Sequence, residues 1–441
     1  MMEVNVIGAG LAGSEASLVL SSAGVRVKLF EMRPAVKTPA HKSDHFAELV
    51  CSNSLGSLSM HDGKGLLKGE LGIFGSNLLK IAGKFRVRAG KALAVDRWAF
   101  QTAVTEFIYR RRNIEVINEE VSHPDLGGIT IVATGPLTSE KMSNSIRDLL
   151  GEDNLYFYDA ISPIVEADSL DREKGFFATR YGEGDDYLNF PMTEEQFGVF
   201  YRELVEADSV SAHEFEDEAY FESCMPIEVI AKRGKETLLY GPMKPVGLRD
   251  PNTGKRPFCV VQLRRENDEG SMYNLVGFQT RLKFREQKKV FSLIPGFERL
   301  NLLRFGSMHR NTYINSPSFL LPTLELESHH QIIFAGQLCG VEGYVESIGT
   351  GLVAGLNGAR KAMGDEPLVF SPGTMIGGLV DYISRRDRKD FQPINANFGL
   401  IPVPEFPHKK RDRRAVQADQ ALQKAREIKD LYFKFDPLCV M

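Results

Sequence analysis

The first thirty residues alternate between short apolar runs and one glycine-rich turn. Val4 to Ile7 form an apolar run that predicts a buried strand, and Val25 to Phe30 predict a second strand. Between the two runs, a turn rich in glycine leads into a segment, Ser14 to Ser22, with the composition of a buried helix. The pattern therefore predicts a compact βαβ unit at the start of the chain.

The pattern is less regular over the next hundred residues. Residues 35–75 show no steady period and are rich in Ser, Gly, His and Asn, so we expect a long loop there. Asp96 precedes a segment of helical spacing, Arg97 to Tyr109, and is expected to be its N-cap. Ile129 to Ala133 predict a further strand.

A change in composition and residue pattern near residue 150 indicates a second structural unit. From residue 151 to 316, aromatic-rich alternating segments predict an inserted, strand-rich α+β domain. A buried strand, Gln331 to Gly336, and a helix rich in small residues, Gly349 to Met363, then return the chain to the first unit. We therefore expect one domain formed by residues 1–150 and 317–441, with residues 151–316 as its insertion.

Composition limits the classes of partner and compartment. The 441 residues are 43% hydrophobic and 25% charged with a net charge of −4, so any nucleic-acid surface must be a local patch. The chain has neither 18 consecutive apolar residues nor a signal-peptide layout. We therefore expect a cytoplasmic protein without membrane contact. The five cysteines form no CxxC and no cluster with histidine, which argues against a zinc site, any other metal site and a disulfide framework.

The glycine-rich turn has the spacing of a dinucleotide-binding site. Gly8, Gly10 and Gly13 form GxGxxG between the first strand and the helix, and Glu31 ends the second strand. The helix N-terminus would offer N–H groups to a pyrophosphate, and Glu31 would accept hydrogen bonds from ribose hydroxyls. The expected cofactor contacts here are Gly8, Ala9, Gly10, Leu11, Ala12, Gly13 and Glu31.

A second glycine-rich stretch favours FAD over NAD. Glycine turns near residues 336, 343 and 349–351 precede the later helix and suit contact with another part of a long cofactor. The contacts expected from this stretch are Gly336, Gln337, Gly343, Tyr344, Glu346, Ser347, Gly349 and Gly351. The predicted fold class is α/β, with a Rossmann-type, glutathione-reductase-like FAD-binding domain and a strand-rich α+β insertion.

Several motifs together resemble the glucose-inhibited-division family of flavoproteins, and within it the folate- and FAD-dependent tRNA (uracil-5-)-methyltransferases. The resemblance spans nearly the whole chain. Longer relatives that modify the tRNA wobble position carry an extra helical C-terminal domain, so the length favours the methyltransferase branch. The motifs are Gly8–Gly13, Glu48–Ser54, Ala92–Arg97, Ala133–Ser139, Cys224–Glu228, Gly241–Leu248, Gly336–Gly358 and Phe391–Gly399.

The resemblance implies a definite reaction. Methylenetetrahydrofolate would give its one-carbon unit to the reduced flavin, which would pass it to C5 of the T-loop uridine at tRNA position 54 and reduce it to methyl. NADPH or NADH would then reduce the flavin again. C5 of uracil is a poor nucleophile until a group adds at C6, and another group must remove the C5 proton. We expect Cys224 to add at C6 and Cys51 to act as base or flavin-side partner, with the swapped roles as the alternative.

The substrates require further contacts. Folate needs a flat side chain for its pterin and a cation for its glutamate tail, for which Arg281, His309 and Tyr344 are candidates. tRNA needs basic patches, and an aromatic residue beside one of them, such as Phe284, is expected to help hold the target base. The basic patches are Arg110–Arg112, Lys232–Lys235, Lys283–Lys289, Arg385–Lys389 and Lys409–Arg414.

Two other functions stay open on the sequence alone. An NAD(P)H-dependent flavin oxidoreductase acting on a small molecule would use the same glycine motifs, although the lack of CxxC disfavours dithiol chemistry. A flavin-stabilised RNA-binding protein without turnover would also use them. The sequence does not predict an oligomeric state.

Overall fold

The computed structural model describes residues 3–38, 40–152, 155–180, 184–210, 225–386, 391–404 and 412–432, with main chain only for 155–159 and 309–310. Its strands are β1 (Glu3–Ile7), β2 (Arg26–Phe30), β3 (Ser54–Ser57), β4 (Arg86–Val87), β5 (Ala92–Val95), β6 (Ile114–Ile117), β7 (Thr130–Val132), β8 (Leu155–Ile161), β9 (Ile164–Glu166), β10 (Phe176–Ala178), β11 (Tyr187–Met192), β12 (Cys259–Arg265), β13 (Met272–Leu275), β14 (Leu302–Arg304), β15 (Ser307–Tyr313), β16 (Glu325–Leu326) and β17 (His329–Phe334). Its helices are α1 (Leu11–Ser22), α2 (Gly63–Ile73), α3 (Asn77–Lys84), α4 (Arg97–Tyr109), α5 (Glu140–Leu150), α6 (Glu194–Glu206), α7 (Ile227–Lys232), α8 (Lys235–Tyr240), α9 (Phe284–Phe291), α10 (Ser316–Phe319), α11 (Tyr344–Met363), α12 (Met375–Ser384) and α13 (Arg413–Tyr432). No helix in these described ranges has the length and apolar content to span a bilayer.

A largely parallel sheet carries the predicted βαβ unit. Its strand order is β16-β17-β7-β1-β2-β6, and only β16 runs antiparallel to its neighbour. β1 lies where the chain changes direction across the sheet, which is the point where open α/β sheets bind ligands beyond the carboxyl ends of their strands. The predicted α/β fold with a Rossmann-type unit is confirmed.

Helix α1 is buried on nearly every side because a second helix covers the face that the sheet leaves open. A Cβ added to Gly351 of α11 would lie 2.3 Å from the carbonyl oxygen of Ala12, and one added to Gly355 would lie 2.8 Å from Ala16. The helices therefore approach at backbone distance. The expected glycine turn at residues 349–351 is wrong, since α11 begins at Tyr344 and contains Gly349 and Gly351.

The prediction of a loop over residues 35–75 is also wrong for the second half of this range, which contains a strand and a helix. β3 joins β5 and β4 in a small sheet, and α2 follows from its N-cap Asp62. Four glycines in α2 weaken its helix propensity, which hid the helix from the pattern. Two of them are needed for packing: Cβ atoms at Gly63 and Gly65 would collide with the carbonyl groups of Ala396 and Ser59 at 2.2 and 1.9 Å.

An antiparallel sheet with its own hydrophobic core forms the second body of the chain. Its order is β10-β11-β12-β13-β9-β14, and α6, α7 and α9 contribute side chains to its core. β12 lies at the centre and is buried almost throughout. Cys259 in β12 is fully buried, as its apolar neighbours predicted, and burial raises the pKa of its thiol to about 12. The limits of the insertion at residues 151–316 stay a prediction.

Candidate active site

The three glycines of the first turn each meet a different steric demand. Gly8 has a φ of +97°, and a Cβ on it would lie 2.6 Å from the carbonyl oxygen of Ala133. A Cβ on Gly13 would lie 1.8 Å from the carbonyl oxygen of Gly8, whereas one on Gly10 would meet nothing within 4 Å. The surrounding backbone therefore leaves no room for a side chain at Gly8 or Gly13. The space beside Gly10, at the N-terminus of α1, is open. This arrangement fits a bound pyrophosphate.

Glu31 is held in place by the turn and by an arginine that the sequence analysis missed. Its Oε2 accepts a hydrogen bond from the amide of Ala9 at 2.9 Å, and its Oε1 accepts one from Arg33 Nε at 2.9 Å. Burial raises the pKa of Glu31, but hydrogen bonds and charge attraction from Arg33 outweigh burial and leave that pKa lowered. Arg33 is 2% exposed, so a fixed carboxylate faces the small cavity of about 70 Å³ beside Gly8 and Gly10.

A second cavity, of about 140 Å³, brings together residues from distant parts of the sequence. It is lined by Cys51 and Ser52 and also by Gln337, Gly343 and Tyr344. Cys51 is half-buried. Four of the residues predicted from separate motifs therefore share one cavity.

The main chain around Cys51 is fixed by hydrogen bonds at almost every peptide group. The hydroxyl of Tyr344 accepts from the amides of Cys51 at 2.8 Å and Ser52 at 3.2 Å. The guanidinium of Arg97 donates to the carbonyls of Leu49 and, at 3.4 Å, of Cys51. Arg304, from β14 of the second sheet, donates to the carbonyl of Val50. Residues 49–52 thus form a held segment rather than a loose loop.

Two guanidiniums and one carboxylate lie next to this segment, while Lys64 and Glu342 line the adjoining cavity. Arg97 Nη2 lies 3.0 Å from Glu266 Oε2. Burial lowers the pKa of Arg97, but the charges of Glu266, Tyr344 and Cys51 outweigh burial and raise that pKa. Burial and the neighbouring charge of Arg97 lower the pKa of Arg304. Such surroundings stabilise a thiolate. Arg97 was expected only as part of a motif, and Arg304 and Glu266 were not predicted, because their partners lie in another part of the chain.

Glu346 offers a buried acceptor that the described residues leave unused. Its side chain is fully buried, and Oε1 accepts from the amide of Ala396 at 3.0 Å, whereas Oε2 has no hydrogen-bond partner among the described atoms. A Cβ on Gly343 would lie 2.4 Å from that oxygen. Lys64 Nζ lies 3.9 Å from Oε1. Since Gly343 and Lys64 both line the Cys51 cavity, Oε2 could accept a hydrogen bond from a ligand hydroxyl there.

Other predicted residues have structural surroundings of their own. The amide of Gly336 donates to Thr350 Oγ1 at 2.9 Å, and Ser347 Oγ donates to the carbonyl of Gly343 at 2.9 Å. Leu11 and Ala12 are buried in the first turn of α1. Arg281 lies in the second body, with Nε 4.0 Å from Glu228 Oε1, and lines none of the three cavities described here.

Two predicted residues fall outside the described part of the chain. Cys224 lies in residues 211–224, and only the main chain of His309 is described, within β15. Helix α7, which begins three residues after Cys224, is attached to the second body: the amide of Ile227 donates to the carbonyl of Gln279 at 2.7 Å, and Glu228 accepts from Thr280 Oγ1 at 2.8 Å. The roles of Cys224 and His309 therefore stay predictions.

A third and much larger cavity, of about 1080 Å³, connects the other two. It shares Ala40, Pro136 and Leu137 with the Cys51 cavity. It also shares a second group of lining residues with the cavity beside Glu31, namely Met32, Glu120, Leu137, Thr138 and Ser139. Residues from β14, β15 and their connection close its other side. The three cavities therefore form one cleft that leads from the glycine turn to Cys51.

Comparison with known proteins adds three findings. Residues 3–366 match the family model described as "Glucose inhibited division protein A". Proteins named "Methylenetetrahydrofolate--tRNA-(uracil-5-)-methyltransferase TrmFO" from Exiguobacterium sp. and Bacillus subtilis are each 53% identical to this chain, covering 97% and 96% of it and 99% and 98% of their own lengths. The crystal structure of Aquifex aeolicus GidA, 18% identical, superimposes with a TM-score of 0.71 over 97% of this chain and 73% of its own.

Proposed function

The chain belongs to the glucose inhibited division protein A family, and from this we propose that it methylates C5 of a uridine in tRNA with methylenetetrahydrofolate as carbon donor. One observation carries the proposal: Cys51 lines a cavity at the end of a cleft that starts at a dinucleotide-type glycine turn, and its main-chain segment is held by two guanidiniums. The names of relatives that match over nearly their full length support the same reaction.

We infer that FAD is the cofactor of this cleft. The open turn at Gly10 would hold its pyrophosphate, Glu31 its adenosine ribose, and Gln337 and Gly343 would lie beside its ring system. The unused oxygen of Glu346 would accept a hydrogen bond from its hydroxyl-bearing chain. A bound flavin would carry the one-carbon unit and supply the electrons that reduce it to methyl, and NADPH or NADH would restore those electrons.

The protein's own thiols activate the uracil. A thiolate that adds to C6 makes C5 nucleophilic, so that C5 can accept the one-carbon unit. A second group then takes the C5 proton, and the C6–S bond breaks to release the thiolate. Arg97 and Arg304 favour the thiolate of Cys51, which either role requires, so Cys224 stays the proposed nucleophile at C6, with the swapped roles as the alternative. In this assignment, Cys51 takes the C5 proton.

We further propose the T-loop uridine at position 54 as the target, NAD(P)H as reductant and the cytoplasm as the site of action. Folate would reach the ring system through the large cavity, near Tyr344 and β15, which carries His309. Arg281 would serve folate only if the glutamate tail extended beyond the three cavities.

One assay tests the proposal against its alternatives. The purified chain is incubated with unmodified tRNA, methylenetetrahydrofolate labelled in its one-carbon unit and NADPH, and nucleosides are analysed by mass spectrometry. Labelled 5-methyluridine at one position, lost in Cys51→Ala and Cys224→Ala but kept in Cys259→Ser, is the expected result. NADPH consumption that needs neither tRNA nor folate, with no methyl product, would indicate a flavin oxidoreductase, and tRNA binding without turnover would indicate a non-catalytic protein. Either result would overturn the proposal.

A further inference from the structure

An exposed aromatic pair lies at the edge of the large cavity. Phe284, the first residue of α9, is 62% exposed, and its ring centroid lies 4.6 Å from that of Phe305 with the planes inclined by 34°. Both rings line the large cavity. Leu303, 48% exposed, lines it beside them. A face of this kind costs free energy in water, and it is suited to stacking against a flat ring.

Cations surround this aromatic pair. Arg285 and Lys288 are exposed and form no ion pair within the described ranges, whereas Lys283 and Lys289 pair with Asp208 and Glu203. Lys288 lies four residues after Phe284, so both project from the same side of α9. The cavity wall itself includes more cationic than acidic residues, namely Lys37, Lys42, Lys141 and Arg304 against Glu120 and Glu140. The combination of exposed rings and unpaired cations fits an unstacked nucleotide with its phosphates.

The position of the pair separates it from the reacting base. Phe284 and Phe305 line the large cavity but not the Cys51 cavity, while Ala40, Pro136 and Leu137 line both. A uracil that reaches Cys51 through the large cavity passes the aromatic pair, and the nucleotide attached to it then lies near the pair. The ring of Phe284 is consequently placed to hold a neighbour of the target base rather than the target base itself.

We propose that Phe284, supported by Phe305 and flanked by Arg285 and Lys288, stacks on an unpaired nucleotide adjacent to the target uridine and fixes the RNA for entry of the target base. This inference rests on the proposed function, because it requires an RNA substrate. The proposed site would select RNA in which the nucleotide next to the target uridine is unstacked, and the two cations would contact its phosphates.

Steady-state kinetics with the flavin-loaded enzyme provide the first test. Phe284→Ala is expected to raise the KM for tRNA about tenfold, as for the loss of one stacked base, while kcat, flavin content and the KM for methylenetetrahydrofolate and NADPH stay unchanged. Phe284→Trp is expected to retain tRNA binding. Tyr240→Ala removes another exposed aromatic ring, which lines none of the three cavities, and serves as the matched control.

A cycle with modified RNA identifies the nucleotide. Full-length tRNAs carry a single abasic site at each nucleotide flanking the target, and each is assayed with the wild type and with Phe284→Ala. At one position, the abasic site combined with Phe284→Ala is expected to raise the KM for tRNA no more than either change does alone. Additive losses at every position, an unchanged KM for tRNA, or a raised KM for folate or NADPH instead would each overturn the inference. The proposed function fails separately, if the wild type forms no 5-methyluridine on unmodified tRNA.

Discussion

Around Cys51 the fold fixes the main chain through a set of hydrogen bonds. Three consecutive carbonyls, from Leu49 to Cys51, accept hydrogen bonds from guanidiniums, and two consecutive amides donate to one tyrosine hydroxyl. Motifs in the sequence predicted Cys51 and Tyr344 as site residues. They did not predict Arg304 or Glu266, because a hydrogen bond between two domains leaves no mark in the local spacing of either partner.

The guanidinium of Arg304 is expected to raise the reactivity of Cys51. In Arg304→Gln, alkylation of Cys51 by iodoacetamide near neutral pH should slow several-fold, since one of two nearby positive charges is lost. Peptide mass spectrometry measures the rate at this residue alone. Arg304→Lys should recover part of the rate, and Arg299→Gln, at an exposed position of the same body, should leave it unchanged. Equal rates in the wild type and Arg304→Gln would remove the electrostatic role.

At the scale of elements, buried carboxylates join helices that are distant in sequence. Glu15 of α1 accepts hydrogen bonds from the amides of Asn77 and Leu78 at the start of α3, and Glu70 of α2 accepts from Met375 and Ile376 at the start of α12. The sequence predicted α1, and Asp96 as the N-cap of α4, because their signals are local. α2 was not predicted, because glycines that are needed for its tertiary contacts also lower its helix propensity.

Glu70 is expected to make stability depend on pH. Burial raises its pKa to about 8, although the amides of α12 act in the opposite direction. Because the pKa of Glu70 is higher in the folded than in the unfolded state, the folded state binds the proton more tightly. The resulting contribution of Glu70 to the free energy of unfolding is fully present below about pH 4.5 and is lost as the pH rises through about 8. The thermal unfolding midpoint of the wild type should therefore fall relative to Glu70→Gln between pH 5 and 8.5. Exposed Glu106→Gln is the control, and a pH-independent difference for Glu70→Gln would contradict the assignment.

The close contact between α1 and α11 should tolerate no side chain at Gly351. Its Cβ would lie 2.3 Å from the carbonyl oxygen of Ala12, so Gly351→Ala should destabilise the protein by about 1–3 kcal/mol and lower its flavin content through movement of α1. Gly72→Ala offers a matched helical control, because its Cβ meets nothing within 4 Å. Gly72→Ala should leave stability unchanged or raise it by about 0.5–1 kcal/mol. Equal stability of the two variants would refute the packing argument.

For the whole molecule, the cleft depends on contacts between the two bodies. Asn53, beside the Cys51 segment, accepts from Arg264 Nε at 2.9 Å and donates to the carbonyl of Arg265 at 3.0 Å, so β12 of the second body supports the first. The α/β class and the glycine turn were predictable, because strand, turn and helix follow one another in sequence. The shape of the cleft was not, because it depends on how the second sheet sits against residues 37–54 and 136–141.

The most direct test of the account traps the protein on its RNA. In tRNA that carries 5-fluorouridine at the target position, methylation leaves C5 without a proton, so the group bound at C6 cannot be released. We predict a covalent adduct of protein and tRNA whose protease digestion yields a nucleotide-modified peptide that contains Cys224, or Cys51 if the two roles are swapped. The adduct should be absent when that cysteine is replaced by alanine. An adduct attached to neither cysteine, or no adduct in the wild type under conditions that methylate ordinary tRNA, would contradict the activation of uracil by these thiols.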